Sequence, residues 1–313
     1  MKKLLVAAMF VAGMVGAAYA DEEMSIQIDQ TFVKARAYLT QQNLSLTGSP
    51  SGRDDNAAFG QEAILFYGEG AANANPSFSE AQREMGAKRA AVVVAQRAVA
   101  EYLSGFTLVG DTSVKDGVQE YDAIRSTVIA QVKGAQVVVQ EYNKEKGMAI
   151  AILKVGMHGP KGFASAFYDK MLKDPELKKA MTEVDGKQVP KYKHKVEPVA
   201  ENYDGLIIDA TEQNFRPALI NRIFSGKNEL LYDPSKVSQK VLVEQGCGEY
   251  TNTVEKAKAA LESRGIKNPL VVKASGTVSA ADLQVSDDDA ATIFSANQKG
   301  NFFAGAKVAF VLK

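Results

Sequence analysis

Tyr67-Gly68-Glu69-Gly70 ends a short apolar run and precedes a long alanine- and valine-rich segment. Strand, Gly-x-Gly, helix is the order in which a dinucleotide site begins. That fingerprint asks for a third glycine and for a helix N-terminus directly behind it, so that free N–H groups face a pyrophosphate. Asn73 stands at the third position, residues 71–78 intervene before the first helix cap, and Asp111 falls too late to hold a ribose hydroxyl. Together these departures exclude the nucleotide reading. The glycines then serve the chain path, with the strand ending at Tyr67 and a flexible Gly/Ala/Asn crossing behind it.

Three other groups could do chemistry. Cys247, in Gly246-Cys247-Gly248, is the one thiol, and a catalytic cysteine needs a histidine, for which the chain offers His158 and His194. A small buried residue is the simpler account of Cys247, with an intermolecular disulfide or redox role as the alternative. Asp287-Asp288-Asp289 lacks the alternating oxygens and closing glutamate of a calcium loop. In the first turn of a helix these carboxylates favourably oppose the macrodipole. Lys187, Lys191, Lys193 and Lys195 surround His194 and read as a solvated linker or, more sharply, as a phosphate- or lipid-headgroup patch. No zinc set and no Gly-x-Ser-x-Gly or Ser-x-x-Lys nucleophile motif in a suitable context stands out. No catalytic, cofactor-binding or metal-binding residue is therefore singled out, and no cofactor is expected.

The compartment is read from the first twenty residues. Lys2 and Lys3 precede an apolar stretch over residues 4–16, and Ala18-Tyr19-Ala20 is a small-x-small cleavage site before acidic residues. This is the pattern of a cleavable secretory signal peptide, cut after Ala20, and it implies a periplasmic protein. No later run is long and apolar enough to span a bilayer. Losing Lys2 and Lys3 leaves a slight acidic excess on a chain that otherwise balances 37 basic with 37 acidic residues. Such a surface argues against a nucleic-acid partner. A single cysteine leaves stabilisation to packing alone.

The elements follow from periodicity. Ile28, Phe32, Ala35 and Leu39 share one helical face within residues 21–42, and a polar loop follows over residues 43–62. Residues 63–67 read as a strand. Ser79-Glu80-Ala81-Gln82 fits a capping box, opening a helix to about Leu103 with Ala91, Val94, Ala95, Ala98 and Tyr102 as its buried stripe. The many alanines imply close approach to a sheet. Residues 106–109 read as a strand, 120–134 as a helix, and 136–142 with 148–155 as a hairpin. Helices are expected at 163–172 and 175–181, and a basic linker follows. Strands at 206–208, 218–224, 229–232, 270–274 and 306–312 with helices at 252–264 and 286–294 make a second half.

The expected fold class is α+β: two α/β sandwich-like domains, with helices packed on mixed, largely antiparallel sheets. The expected organisation is a signal peptide (1–20), an N-terminal helix and polar linker (21–62) and a β-α-β-α-β-β domain (63–160). A helical and basic linker (161–202) and a C-terminal α+β domain (203–313) complete the chain.

Several local phrases are similar to a known family. "GEGAANAN", "AKRAAVVVAQRAVAEYLSGFTL", "YDAIRSTVIAQVKGAQVVVQEY" and "GMAIAILKVGMHGP", over residues 64–160, resemble the LPP-twenty family of bacterial envelope proteins. In the second half "YDGLIIDATEQNFRPALINRIF", "NPLVVKASG" and "SDDDAATIFSAN" look like a downstream region of longer relatives. The resemblance implies an envelope protein without catalysis, some relatives being outer-membrane lipoproteins and others parts of flagellar basal structures. The flagellar-assembly T-type proteins have a comparable N-terminal domain. This chain lacks the lipobox cysteine, and carries Asp209-Ala210-Thr211-Glu212 where relatives often have a glycine-containing phrase.

The leading expectation is thus a non-enzymatic periplasmic protein with a structural or assembly role, self-association included, and a link to flagellar basal structures within its scope. Its partners would be copies of itself or other envelope proteins, with peripheral outer-membrane association. The alternative is a periplasmic binding module for a small ligand, glycan or lipid, with its pocket between the two halves.

Overall fold

The computed structural model describes residues 28–42, 58–59, 63–159, 161–184 and 187–313. The expected signal peptide, residues 21–27 of the expected first helix and most of the polar loop lie outside the described residues; residues 28–32 are described and are not helical, so that helix begins later than expected, at Val33.

The first half is built on a three-stranded antiparallel sheet in the order β1 (Ala63–Ala71), β5 (Met148–Gly156), β4 (Gln136–Asn143). Helix α1 (Val33–Gln42) covers one face. Phe32, Ala35 and the preceding Ile28 pack there with Leu65, Val139, Ile150 and Ile152, and Leu39 packs half-buried beside them. Burial of each large apolar side chain of this kind contributes about 1.5–3 kcal/mol.

Helix α2 (Glu80–Ser104) covers the other face and opens on the expected capping box. Gln82 N–H donates to Ser79 Oγ at 3.3 Å, and Ser79 N–H donates to Gln82 Oε1 at 2.8 Å. Its buried residues include Ala87, Ala91, Ala95, Val99 and Tyr102. The expected stripe is therefore rotated: Val94 is 41% exposed and Ala98 is half-buried. The reason lies in β1, which runs on through Gly68 and Gly70 to Ala71 instead of ending at Tyr67. A Cβ on Gly70 would stand 2.2 Å from Ala87 O and one on Gly68 would stand 2.2 Å from Ala91 O. The glycines give the Ala87–Ala91–Ala95 row a floor on which the helix backbone rests directly.

Residues 106–109 do not extend that sheet. Strand β2 (Thr107–Val109) pairs with β3 (Thr112–Ser113) across a turn at Gly110, whose φ is +59°. It then meets the second half: Leu219 N–H donates to Thr107 O at 3.0 Å and Ile220 N–H donates to Leu108 O at 2.9 Å. Helices α3 (Val114–Glu120) and α4 (Asp122–Gly134) lead back to β4. After β5 come α5 (Phe163–Lys173), α6 (Pro175–Thr182) and a short hairpin of β6 (Glu183–Val184) and β7 (Lys187–Gln188).

The second half holds two sheets. One is parallel throughout, in the order β11 (Glu249–Thr251), β15 (Val308–Val311), β8 (Gly205–Asp209), β12 (Pro269–Lys273). Strands buried on both faces read as continuous apolar runs, as in Leu206-Ile207-Ile208 and Val308-Ala309-Phe310-Val311. Helix α8 (Val254–Ser263) crosses between β11 and β12 and buries Ala257 and Leu261 against Ile207, Ala309 and Val311.

The other sheet is mixed, in the order β10 (Leu230–Tyr232), β9 (Arg222–Phe224), β14 (Asp282–Gln284), β13 (Gly276–Ser279). Helix α7 (Gln239–Gln245) follows a short turn at Pro234–Lys236, and α9 (Asp287–Gly300) links β14 to β15. The architecture is α+β, antiparallel in the first half and parallel or mixed in the second. Parallel order there comes from the helices that separate β11, β12 and β15, since a crossover, unlike a tight turn, returns the chain in the same direction.

One core joins the halves. An aromatic series runs from Phe66 to Tyr102 (5.5 Å between ring centroids), Phe106 (5.3 Å), Phe59 (5.0 Å), Tyr250 (5.3 Å) and Phe310 (5.6 Å). Beside β2, Arg222 Nε and Nη2 donate to the Asp282 carboxylate at 2.7 and 2.5 Å, and Nη1 donates to Glu183 O at 2.7 Å. Ser279 Oγ donates to the same carboxylate at 2.6 Å. Both ions are buried, so their charges are tolerated because the fork-to-fork geometry and the added donors satisfy them.

Candidate functional site

The chemically richest place lies at the junction of the halves. Residues from both converge on a cavity of about 10 Å³: Phe59, His158 behind the end of β5, Ala164 and Tyr168 of α5, Ala218, Gly246-Cys247-Gly248 and Tyr250 of β11. The two glycines permit the convergence. Gly246 has φ +78° and sits within 3.6 Å of His158 and Tyr168, measured from where a Cβ would be. Gly248 has φ +159°, and a Cβ there would stand 2.8 Å from Val308 O.

Most polar atoms here are spoken for. The Tyr168 hydroxyl donates to Leu219 O, to which Cys247 Sγ also donates at 3.8 Å. Tyr232 OH donates to Cys247 O at 2.5 Å, and Tyr250 OH bridges Ala218 O and the Asn221 side chain. Asn221 Nδ2 in turn donates to Ala281 O at 3.1 Å. His158 Nδ1 is the exception: it is buried and has no partner among the described residues.

Burial sets the protonation states. It pushes the Cys247 thiol up to about 12, against a smaller opposing effect from the Tyr168 hydroxyl. It also holds Tyr168, Tyr232 and Tyr250 well above the ordinary phenol range. His158 is lowered, again by burial, with Glu249 pulling weakly the other way. At neutral pH the cluster is therefore a neutral thiol, neutral phenols and a neutral imidazole. A reactive cysteine needs the thiolate, which an electropositive and partly open setting favours; Cys247 sits in the opposite setting. A cavity of about 10 Å³ accommodates about one water, whereas ligand pockets run to hundreds of Å³.

The other residues singled out by sequence fall elsewhere. His194 is far from Cys247 in role: its Nε2 meets Glu229 Oε2 at 2.7 Å on the outer side of β10. Asp287, Asp288 and Asp289 occupy the first turn of α9, where Asp289 N–H donates to Ser286 Oγ at 3.0 Å. Gly68 and Gly70 lie inside β1 against α2. Lys191, Lys193 and Lys195 lie on a segment docked to β10. Among the described residues, no group of three or more His, Cys, Asp and Glu side chains comes together as a metal-ligand set. In the sequence, Cys247 has a histidine partner only in principle. His158 is the histidine brought to its neighbourhood, across a separation that carries no local signal.

Among the described residues, no helix is long and apolar enough to cross a membrane. The family described as Treponema pallidum Tp0624, second domain, matches residues 205–313, which run from the first residue of β8 to the end of the sequence. That is about a third of the chain. No curated protein matches it. The match corrects the resemblance to the LPP-twenty family: the family evidence lies in the second half and points to a different family. The glycines and alanines prominent in that likeness are what the close packing of α2 on β1 requires. Such a constraint recurs wherever a helix backbone rests on a strand, so it is weak evidence of descent. The flagellar and outer-membrane expectations rested on that resemblance and are not carried forward.

Proposed function

We propose that this chain is a non-enzymatic periplasmic protein that acts in envelope assembly, pairing through a sheet edge with copies of itself or with other envelope proteins. The observation that carries the reading is the outer edge of β4. This eight-residue strand pairs with β5 on one side and has no ladder partner on the other among the described residues. An unpaired row of N–H and C=O groups is a template for a further strand, with side-chain pockets adding specificity.

Two features support a regulated edge. The register shifts between Val137 and Val139, a bulge that bends the strand and discourages indiscriminate pairing. Val137, beside the bulge, is 42% exposed, an apolar contact for an incoming strand. The periplasmic setting is supported by the signal-peptide pattern of residues 1–20. The junction cavity itself, at about 10 Å³, is too small for the ligand that the binding-module alternative would place there.

Sedimentation of the purified chain tests the reading. Self-association that rises with concentration and is weakened by Val137→Lys supports edge pairing, because a lysine on an open edge opposes strand addition. Association unaffected by the substitution would move the contact elsewhere.

A further inference from the structure

A tight turn behind β5 fixes His158. Ala164 N–H donates to Met157 O at 2.9 Å, and Gly162 N–H donates to Gly159 O at 3.0 Å. Gly159 has φ +82°, and a Cβ on Gly162 would stand 2.5 Å from His158 O, so the backbone folds back closely on itself. His158 is half-buried and lines the junction cavity. Its Nδ1 is the buried end of the ring and has no hydrogen-bond partner among the described residues.

Gly246 makes room beside it. From where a Cβ of Gly246 would stand, His158 Cε1, the carbon bonded to Nδ1, is 3.4 Å away and the Tyr168 hydroxyl oxygen is 3.6 Å away. The two groups share one small space that a side chain at residue 246 would fill. Neither neighbouring donor serves Nδ1. The Tyr168 hydroxyl gives its proton to Leu219 O, and Cys247 Sγ is turned to the same carbonyl at 3.8 Å. With its proton committed, the Tyr168 oxygen still has lone pairs with which to accept. Buried polar atoms in folded proteins are satisfied by protein groups or by ordered water. The space of about 10 Å³ corresponds to one water-sized sphere, and Phe59, Ala164 and Ala218 add apolar wall to it.

We propose that the junction cavity is the binding site of one ordered water, which bridges His158 Nδ1 and the Tyr168 hydroxyl oxygen against the wall made by Gly246, Cys247 and Gly248. Two polar partners are the fewest that hold a buried water, and this pair supplies them. The water donates to the Tyr168 oxygen and pairs with Nδ1 through its remaining capacity. His158 follows β5 and Tyr168 belongs to α5, whereas the glycine–cysteine wall belongs to the second half, so the water seals the seam between them. An ion is the poorer match, because the imidazole, phenol and thiol around the space are neutral and offer it no counter-charge. The site shares no residue with the β4 edge and stands or falls independently of it.

A high-resolution crystal structure of the full chain, with water-oxygen magnetic relaxation dispersion at neutral pH to count long-lived internal waters, tests this. Density for a single water is expected about 2.7–3.2 Å from Nδ1 and at a similar distance from the Tyr168 oxygen. His158→Phe removes Nδ1 and lowers the count by about one water. His194→Phe, at the exposed pair with Glu229, leaves the count unchanged. Melting curves check that both variants fold, and if His158→Phe does not, the density at Nδ1 decides alone. Nδ1 bonded directly to a protein atom, a cavity without density, an undiminished count in His158→Phe, or an equal loss in the two variants would each overturn the proposal.

Discussion

Gly68 lies so close beneath Ala91 that a Cβ on the glycine would stand 2.2 Å from the Ala91 carbonyl oxygen. The contact is with backbone, which cannot swing aside. Gly68→Ala should therefore destabilise the fold by about 3 kcal/mol or more, the upper end for overpacking. Gly86, in the same helix, has open space where a Cβ would go. Gly86→Ala should raise stability by about 1 kcal/mol through helix propensity alone. Urea unfolding of the pair reads both signs, and a mild effect of Gly68→Ala would mean that the helix does not rest on the strand as described.

What was legible in the sequence follows a physical division. Features set by neighbours within a few residues could be read: the Ser79–Gln82 capping box appears as expected, and Ile28, Phe32 and Ala35 are buried together, although Ile28 and Phe32 precede the helix instead of lying in it. Features set by a distant partner could not. Which alanines of α2 face inward depends on Gly68 and Gly70, so periodicity alone placed Val94 inside. Where β2 pairs depends on Leu219 and Ile220, more than a hundred residues away. The parallel order of the second sheet depends on crossovers that a list of strands does not reveal. The junction cluster was the least accessible, since His158, Tyr168 and Cys247 carry no shared motif.

The Arg222–Asp282 pair is buried beside the contact between β2 and the second half. Asp282→Asn leaves a buried guanidinium without its counter-charge and should cost about 3–5 kcal/mol. Replacing both partners with apolar residues, R222M/D282L, should be much less damaging than that single change, because no lone charge remains. Chemical denaturation of both variants distinguishes the two situations; equal destabilisation would indicate that shape, not charge, holds the site.

His158 makes stability depend on pH. Burial lowers its folded-state pKa below the ordinary value of 6.5, so the unfolded chain takes up a proton first as pH falls. The contribution of His158 is thus fully present above about pH 6.5, declines as pH drops below it, and levels off beneath the folded pKa. His158→Gln should remove that part of the slope while leaving the acid unfolding driven by carboxylates in place. Melting temperatures across this range, compared between the two proteins, check the sign. A parallel decline in both would place the pH dependence elsewhere.

The central claim is that the open edge of β4 meets another protein. Photo-crosslinking from a reactive residue installed at Val137, in intact cells, tests it most directly. The account expects an adduct with a second copy or with a discrete envelope protein, and its loss when the same reactive group is moved to Val99, which is buried in α2. A Val137 probe that yields no adduct, on a chain that sediments as a monomer at every concentration, would contradict it.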